Sequence, residues 1–351
     1  MKTEYITWSR ERGYEKEALA RAAEILRNGG LVAFPTETVY GLGGNGLMRE
    51  ASMKIYAAKG RPSDNPLILH ISKREDLNSI VRYVPEKAEK LMSAFWPGPM
   101  TLIFEKKECV PYETTGGLDT VAVRMPEHEG ARELIASAGV PVAAPSANAS
   151  GRPSPTSAEH VKEDLSGKID MIIDGGSVGI GLESTIIDLT EEVPVILRPG
   201  YITSEMISGI VGEVALDSAL ESADVSSVPP KAPGMKYRHY APRAQMTVYE
   251  GKMSEVIEKI NGMASRYPAS KVGILATEET KEYYPHGQVV VAGSREGHTI
   301  GQGLYGALRK FDHLGVEVIF SECFSGEEKS EALMNRLLKA AGHRIEYLPG
   351  K

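Results

Sequence analysis

The sequence predicts an α/β protein with two domains, and three observations support this prediction. The chain has 351 residues, which is long enough for two hydrophobic cores, because single domains cluster at roughly 100 to 200 residues. Short apolar runs bounded by Gly or Pro alternate with helical patterns, as in a sheet with packed helices. A proline-rich basic stretch divides this pattern. We therefore expect a first domain at 1–215, a linker at 216–245 and a second domain at 246–351.

The first domain is expected to begin with a helix, since the stretch from Glu15 to Asn28 has apolar residues at helical spacing and is followed by Gly29 and Gly30. The apolar runs beyond it predict strands at 31–34, 67–71, 101–104, 120–124, 140–144, 171–173, 185–189 and 195–197. Helical patterns between them lie at 50–59, 86–95, 130–137 and 157–165. Thr156 and Glu159 have capping-box spacing at the last of these helices. This mixture predicts a mixed sheet.

The linker has an unusual composition between Ser226 and Pro242, where four prolines occur and no acidic residue. Lys231, Lys236 and Arg238 make it basic within an acidic protein. It is either a stiff spacer or, because Tyr237 and other aromatic residues accompany the charges, a segment that contacts a ligand.

The second domain is predicted to be a small open α/β domain of the Rossmann-like kind. Its predicted strands lie at 246–249, 271–276, 288–292 and 316–321. Its predicted helices lie at 253–267, 303–314 and 327–341.

Composition excludes several classes of protein. The net charge of −7 and pI near 5.7 argue against a surface that binds nucleic acid by broad electrostatic attraction. Two cysteines far apart in the sequence suggest neither a disulfide framework nor a thiolate metal site, and no histidine pair has zinc spacing. No apolar run approaches 18 residues. We therefore expect a cytoplasmic protein with no dedicated metal site and no membrane contact.

A loop rich in hydroxyl groups follows the apolar run 140–144, and it reads P-S-A-N-A-S-G-R-P-S-P-T from Pro145 to Thr156. Small residues with Ser, Asn and Arg donors suit a phosphate-rich ligand, although the same composition also suits a surface loop. Lys59 and Arg61 stand at a predicted helix end, where cations serve either as dipole partners or as polyphosphate ligands.

Two G-x-G-x-x-G matches are present, at Gly41, Gly43 and Gly46 and at Gly301, Gly303 and Gly306. The first lacks the acidic residue that a dinucleotide site requires, which favours turn glycines. The second leaves open a phosphate site at a helix N-terminus.

The predicted strand 120–124 carries alternating residues. Its period of two places Thr120, Ala122 and Arg124 on one face. An inward Arg124 would suit a carboxylate ligand, whereas an edge strand would expose it.

Seven motifs in order closely resemble the YrdC-domain family. They are P-T-E-T-V-Y-G-L (35–42), K-G-R-P-S-D-N-P-L (59–67), W-P-G-P-M-T-L (96–102), V-A-V-R-M-P (121–126), A-P-S-A-N-A-S-G (144–151), E-S-T-I-I-D (183–188) and R-P-G (198–200). The basic linker and the small second domain resemble the longer, two-domain form of that family. The resemblance therefore spans essentially the whole chain.

The resemblance implies a twisted mixed sheet with a basic concave cavity, and a nucleotidyltransferase activity. The implied reaction converts L-threonine, bicarbonate and ATP to L-threonylcarbamoyl-AMP and pyrophosphate, the first step towards threonylcarbamoyladenosine in tRNAs that read codons beginning with A. Mg²⁺ is expected to enter with ATP. The implied recipient of the product is a tRNA threonylcarbamoyl transferase, and the sequence gives no indication of direct tRNA contact.

The resemblance also assigns site residues. The residues expected around ATP are Lys59, Arg61, Asn65, Thr120, Ser146, Asn148, Ser154, Arg198 and Tyr237. The residues expected around threonine are Thr38, His70, Arg124, Ala144 and Ser184. Lys59 and Arg61 are expected to stabilise the charge of the triphosphate during catalysis. Glu37 and Asp64 lie nearby in the motifs, but neither is assigned as a metal ligand and no general base is identified.

Two alternatives remain at the level of the sequence. One is a non-catalytic RNA-binding module with a basic cavity. The other is a carbamoyl-transfer domain that uses carbamoyl phosphate.

Overall fold

The computed structural model describes residues 2–220, 230–233, 240–326 and 330–349. They form two compact units, the first from residues 2–150, 154–220 and 230–233 and the second from residues 151–153, 240–326 and 330–349. The linker bounds at 216 and 245 stay a prediction. Among the described helices, none combines the length and the apolar character needed to cross a membrane.

The first unit is built on a 12-stranded sheet. Its strands are β1 (Glu4–Ser9), β2 (Gly13–Tyr14), β3 (Val32–Phe34), β4 (Gly41–Asn45), β5 (Ile68–His70), β6 (Met100–Glu105), β7 (Thr120–Arg124), β8 (Val142–Ala143), β9 (Met171–Asp174), β10 (Thr185–Asp188), β11 (Val195–Arg198) and β12 (Ala215–Leu216). They lie in the order β12-β11-β10-β6-β7-β5-β8-β4-β3-β9-β1-β2. Pairs such as β5 and β7 are parallel and pairs such as β6 and β7 antiparallel. The predicted mixed sheet is confirmed.

The α-helices of this unit cover the two faces of the sheet. They are α1 (Lys16–Arg27), α2 (Arg49–Lys59), α3 (Glu86–Phe95), α4 (Tyr112–Thr115), α5 (Glu129–Ala138), α6 (Ala158–Leu165) and α7 (Ser204–Val211). Apolar residues of α1 and α5 pack on Val32 and Phe34 of β3, whereas Ala33 of the same strand joins the larger core on the opposite face. The period of two along a strand therefore divides its side chains between two cores.

The alternation predicted for β7 is confirmed. Val121 and Val123 belong to the large core, while Ala122 packs with Ile68 and Ile103 on the other face. Arg124 is two residues from Ala122 and shares its face.

Two local predictions were wrong. Gly41 and Gly43 lie within β4 instead of a turn; a Cβ on Gly43 would be 2.8 Å from Phe34 and 2.9 Å from Val142, so this position lets neighbouring strands approach closely. The capping box of Thr156 and Glu159 does not form, because the helix begins one residue later with Ser157 at its N-cap and no side-chain cap bond.

The second unit contains a 5-stranded sheet. Its strands are β13 (Gln245–Glu250), β14 (Val272–Ala276), β15 (Gln288–Val291), β16 (Val318–Glu322) and β17 (Ile345–Tyr347). Its helices are α8 (Met253–Ala264), α9 (Ile300–Leu314) and α10 (Ser330–Ala340). All the strand pairs are parallel, in the order β15-β14-β16-β13-β17. The predicted open α/β domain is confirmed.

Gly303 belongs to the second G-x-G-x-x-G match, and packing requires a glycine at this position. A Cβ there would be 1.8 Å from the carbonyl oxygen of Ala292. We expect Gly303→Ala to lower the free energy of unfolding by about 3 kcal/mol through forced displacement of backbone. Gly262 in α8 is the matched control: a Cβ there meets nothing within 4 Å, so Gly262→Ala should stabilise the helix by about 0.5–1 kcal/mol. Urea denaturation of both variants tests this contrast, and similar effects would contradict it.

Candidate active site

The first half of the loop from Pro145 to Thr156 is fixed to the core of the first unit. The backbone N–H of Leu42 donates to Pro145 O at 2.8 Å, and the N–H of Ala147 donates to Tyr40 O at 2.8 Å. The Lys59 ammonium donates to the carbonyl oxygens of Ser146 and Asn148, both at 2.5 Å. Most of the loop is buried. The alternative of an ordinary surface loop is therefore wrong.

Two hydroxyl groups of this loop, those of Ser146 and Ser154, already donate their protons within the protein. Ser146 Oγ donates to Asn148 Oδ1 at 2.6 Å, and Ser154 Oγ donates to Glu183 Oε1 at 2.6 Å. A hydroxyl has one proton and two lone pairs. In this arrangement both serine oxygens are acceptors, which suits ligand donors such as ribose hydroxyl groups.

Lys59 and Arg61 flank the end of α2, where Gly60 adopts a left-handed conformation with φ of 64°. Arg61 donates to the carbonyl oxygens of Asn65 at 3.3 Å and Pro66 at 3.0 Å. Asn65 Oδ1 is buried and has no hydrogen-bond partner in the described part of the chain. Arg61 thus holds the segment between α2 and β5, while Lys59 holds the hydroxyl-rich loop.

A polar row crosses the sheet beside this loop. His70 on β5 and Thr101 on β6 are both in register with Arg124 on β7. Arg124 is 4% exposed. Since β7 lies between β6 and β5, the edge-strand interpretation of this arginine is wrong.

The Arg124 guanidinium has three partners. Its Nε donates to Gly98 O at 3.2 Å, its Nη1 to Thr38 Oγ1 at 2.9 Å and its Nη2 to Glu37 Oε1 at 2.6 Å. A guanidinium carries five N–H bonds, so Arg124 has further donors for a carboxylate ligand.

Ser184 and Arg198 connect the two sets of predicted residues. Arg198 donates from Nε to Ser184 O at 3.1 Å and from Nη2 to Ser184 Oγ at 3.2 Å. Ser184 Oγ also bonds to Thr101 Oγ1 at 2.7 Å. A residue expected at ATP is thus hydrogen-bonded directly to one expected at threonine.

Thr120 and Ala144 lie around the same face. Thr120 begins β7 on the side of Arg124, about 13 Å away at 3.3 Å per residue. Ala144 is bonded through its N–H to Ile68 O at 2.9 Å. Tyr237 falls outside the described residues. Whether any of these residues binds a ligand stays a prediction.

Three further residues belong to this arrangement, namely Glu37, Thr101 and Glu183. Their signal in the sequence was their position within the motifs, beside or near assigned residues. The partners that place the two carboxylates in the site, Arg124 for Glu37 and Ser154 for Glu183, become evident only in the fold.

The described linker residues Lys231 and Ala232 lie on the same face. Ala232 packs with Ile68, Ala122 and Ile186, and Lys231 Nζ is 3.4 Å from Asp188 Oδ2. In the described ranges, no group of three or more His, Cys, Asp or Glu residues is placed to hold a metal ion.

His70 is a neutral member of the polar row. Burial, followed by the positive charge of Arg124, lowers the pKa of His70 from 6.5 to about 3. Between these values the unfolded chain binds a proton that the folded chain does not, so the free energy of unfolding must fall as the pH falls through this window, by up to about 1.4 kcal/mol per pH unit.

We therefore expect His70→Asn to show a shallower loss of stability than the unmodified protein between pH 6.5 and pH 4. Urea denaturation at several pH values measures both slopes. The carboxylates titrate in both proteins, so the difference in slope reports on His70, and equal slopes would contradict the assignment.

Comparison with known proteins gives matches along most of the chain. A family model described as "Telomere recombination" matches residues 24–200, and one described as "Threonylcarbamoyl-AMP synthase, C-terminal domain" matches residues 202–342. The chain is 50% identical over 326 residues to the threonylcarbamoyl-AMP synthase of Pyrococcus abyssi, covering 92% of this chain and 94% of that one. It is 47% identical over 331 residues to the synthase of Bacillus subtilis, covering 93% and 94%.

A solved structure, that of P. abyssi Sua5 complexed with L-threonine, matches with a TM-score of 0.92 and 47% identity. The match covers 99% of this chain and 100% of that one.

Proposed function

The chain belongs to the threonylcarbamoyl-AMP synthase family, and we propose that it joins L-threonine, bicarbonate and ATP into L-threonylcarbamoyl-AMP and pyrophosphate. Enzymes of this name are transferases, and the finer proposal is a nucleotidyltransferase. The observation that carries the proposal is the direct bonding of Arg198 to Ser184, because it joins a residue proposed to bind ATP to one proposed to bind threonine.

The proposed chemistry has two parts. The amine and bicarbonate first give a carbamate, by R–NH₃⁺ + HCO₃⁻ → R–NH–COO⁻ + H₂O + H⁺. A carbamate oxygen then forms a bond to the α-phosphorus of ATP, the bond from that phosphorus to the bridging oxygen breaks, and pyrophosphate leaves. The chain is proposed to act mainly by positioning and by neutralising charge.

The contacts support different roles for the basic residues of the site. Arg124 would hold the threonine carboxylate with the donors left by its three protein partners. Lys59, bonded to Ser146 O and Asn148 O, would keep the loop in position for the nucleotide, and Arg61 and Arg198 would stabilise phosphate charge.

Mg²⁺ is proposed to enter with ATP. The described residues offer no cluster of three acidic or imidazole ligands, so phosphate oxygens and water would supply most of its coordination. Its chemistry is to neutralise the charge of the triphosphate.

The linker is proposed to help exclude water from the labile mixed anhydride. The packing of Ala232 and the bond from Arg198 Nη1 to Pro233 O at 3.4 Å support this, because they put the described linker residues beside the subsites. The product would pass to a tRNA threonylcarbamoyl transferase. A cytoplasmic location stays a prediction.

One assay tests the function. Purified protein with Mg²⁺ and ATP should release pyrophosphate and form an AMP adduct only when bicarbonate and threonine are both present. The synthase names of the relatives favour catalysis over a non-catalytic RNA-binding module. Release that does not depend on the amino acid, or turnover only with carbamoyl phosphate, would overturn the proposal.

A further inference from the structure

The two oxygens of the Glu37 carboxylate differ in their hydrogen bonding among the described residues. Oε1 accepts from Arg124 Nη2 at 2.6 Å, in an ion pair whose side chains are 11% and 5% exposed. Oε2 is buried and has no hydrogen-bond partner among the described residues. Leaving a buried charged acceptor unpaired costs at least about 1–3 kcal/mol. A ligand that donates to this oxygen would recover that free energy.

The hydroxyl group of Thr38, which neighbours Glu37, also acts as an acceptor. Thr36 Oγ1 donates to Val39 O at 2.6 Å, so its single proton is used. The 2.9 Å bond between the Thr36 and Thr38 hydroxyls must therefore be donated by Thr38. Thr38 Oγ1 in turn accepts from Arg124. The two side chains bonded to the guanidinium, Thr38 and Glu37, thus accept hydrogen bonds and have no proton to donate to a ligand.

The charges lead to the same conclusion. Glu37 balances Arg124, so a simple carboxylic acid anion would add a net negative charge to the pair and compete with Glu37 for the guanidinium. A zwitterionic amino acid adds no net charge, because its carboxylate can face Arg124 while its ammonium faces Glu37. The other two buried carboxylates of this face have protein partners, Glu183 with Ser154 and Asp188 with Thr190.

We propose that Glu37 selects an α-amino acid over other carboxylic acids by accepting hydrogen bonds from its ammonium group. This inference rests on the proposed function, since it concerns the amine of the threonine substrate. Glu37 is then a specificity-determining residue that touches the substrate, beyond its contact with Arg124.

Two ligands separate this role from a structural one. L-Threonine and 2,3-dihydroxybutanoate differ only in that a hydroxyl group replaces the ammonium. Calorimetric binding without ATP is measured for the full chain and for Glu37→Gln and Glu37→Asp. The unmodified chain should prefer threonine by about 10-fold or more, as a charge-assisted hydrogen bond implies.

Glu37→Gln should weaken threonine binding by about 10-fold and strengthen binding of 2,3-dihydroxybutanoate, because Arg124 is no longer neutralised. Glu37→Asp keeps the charge on a shorter side chain and should give an intermediate preference for threonine over 2,3-dihydroxybutanoate. This variant also tests the inference if the Gln variant fails to fold. Equal weakening of both ligands would show that Glu37 only orients Arg124 and would overturn the inference while leaving the proposed function intact. Absence of threonine binding to the unmodified chain would overturn both.

Discussion

Replacing Arg124 by Ala is expected to raise the threonine concentration for half-maximal pyrophosphate release by about 100-fold, a loss of about 3 kcal/mol for removing one partner of a buried charge pair. The ATP requirement should change far less. The reason is geometric: Arg124 bonds to Gly98, Thr38 and Glu37, whereas the hydroxyl-rich loop is bonded to Lys59. Steady-state kinetics with each substrate varied in turn measures the two requirements.

The same substitution leaves Glu37 buried without its partner, which costs about 3–5 kcal/mol of stability. The double variant Glu37→Gln with Arg124→Met removes both charges and is the control for folding. Arg124→Lys keeps the charge but lacks the forked donors, so it should recover only part of the threonine affinity. A larger rise in the ATP requirement than in the threonine requirement would show that Arg124 is assigned to the wrong substrate.

Replacing Lys59 by Met is expected to reduce turnover by at least about 100-fold and the free energy of unfolding by about 3 kcal/mol. Methionine is unbranched like lysine and one atom shorter, and it donates no hydrogen bond. It leaves the carbonyl oxygens of Ser146 and Asn148 without this donor, and an unpaired buried acceptor costs about 1–3 kcal/mol. The loop would then no longer hold Asn148 in place for the nucleotide. Pyrophosphate release and chemical denaturation measure the two effects.

Lys106 provides a matched control. It is also a buried lysine, 6% exposed. Its Nζ donates to Val110 O at 2.9 Å and lies over the Tyr112 ring, and neither partner is a predicted site residue. Lys106→Met should lower the stability in a similar way and leave turnover of the folded protein unchanged. If both variants lost turnover equally, the effect of Lys59 would be one of general stability alone.

Patterns set by local sequence were predictable. The period of two along β7 correctly divided Val121 and Val123 from Ala122, because burial on two faces requires alternation. The strand β4 was not predictable in this way: its G-L-G-G-N sequence has low strand propensity, and it is stable because Gly43 admits the close approach of Phe34 and Val142.

In the candidate site, too, some features were predictable from the sequence and others were not. Arg124 and the hydroxyl-rich loop have residue types that suggest ligands by themselves. Glu37 does not, because its significance depends on the 2.6 Å contact with a residue 87 positions away in the chain. The resemblance to a family identified the motifs, but the partner of each polar atom within them required the fold.

The pair of bonds from Arg198 to Ser184 has a thermodynamic consequence. If occupancy of one subsite shifts these shared groups, the two substrates become energetically coupled, and the coupling must be reciprocal: any factor by which threonine changes the affinity for ATP equals the factor by which ATP changes the affinity for threonine. Where that factor is favourable, a low threonine concentration would also weaken ATP binding, and ATP would bind most tightly to the protein that already holds threonine.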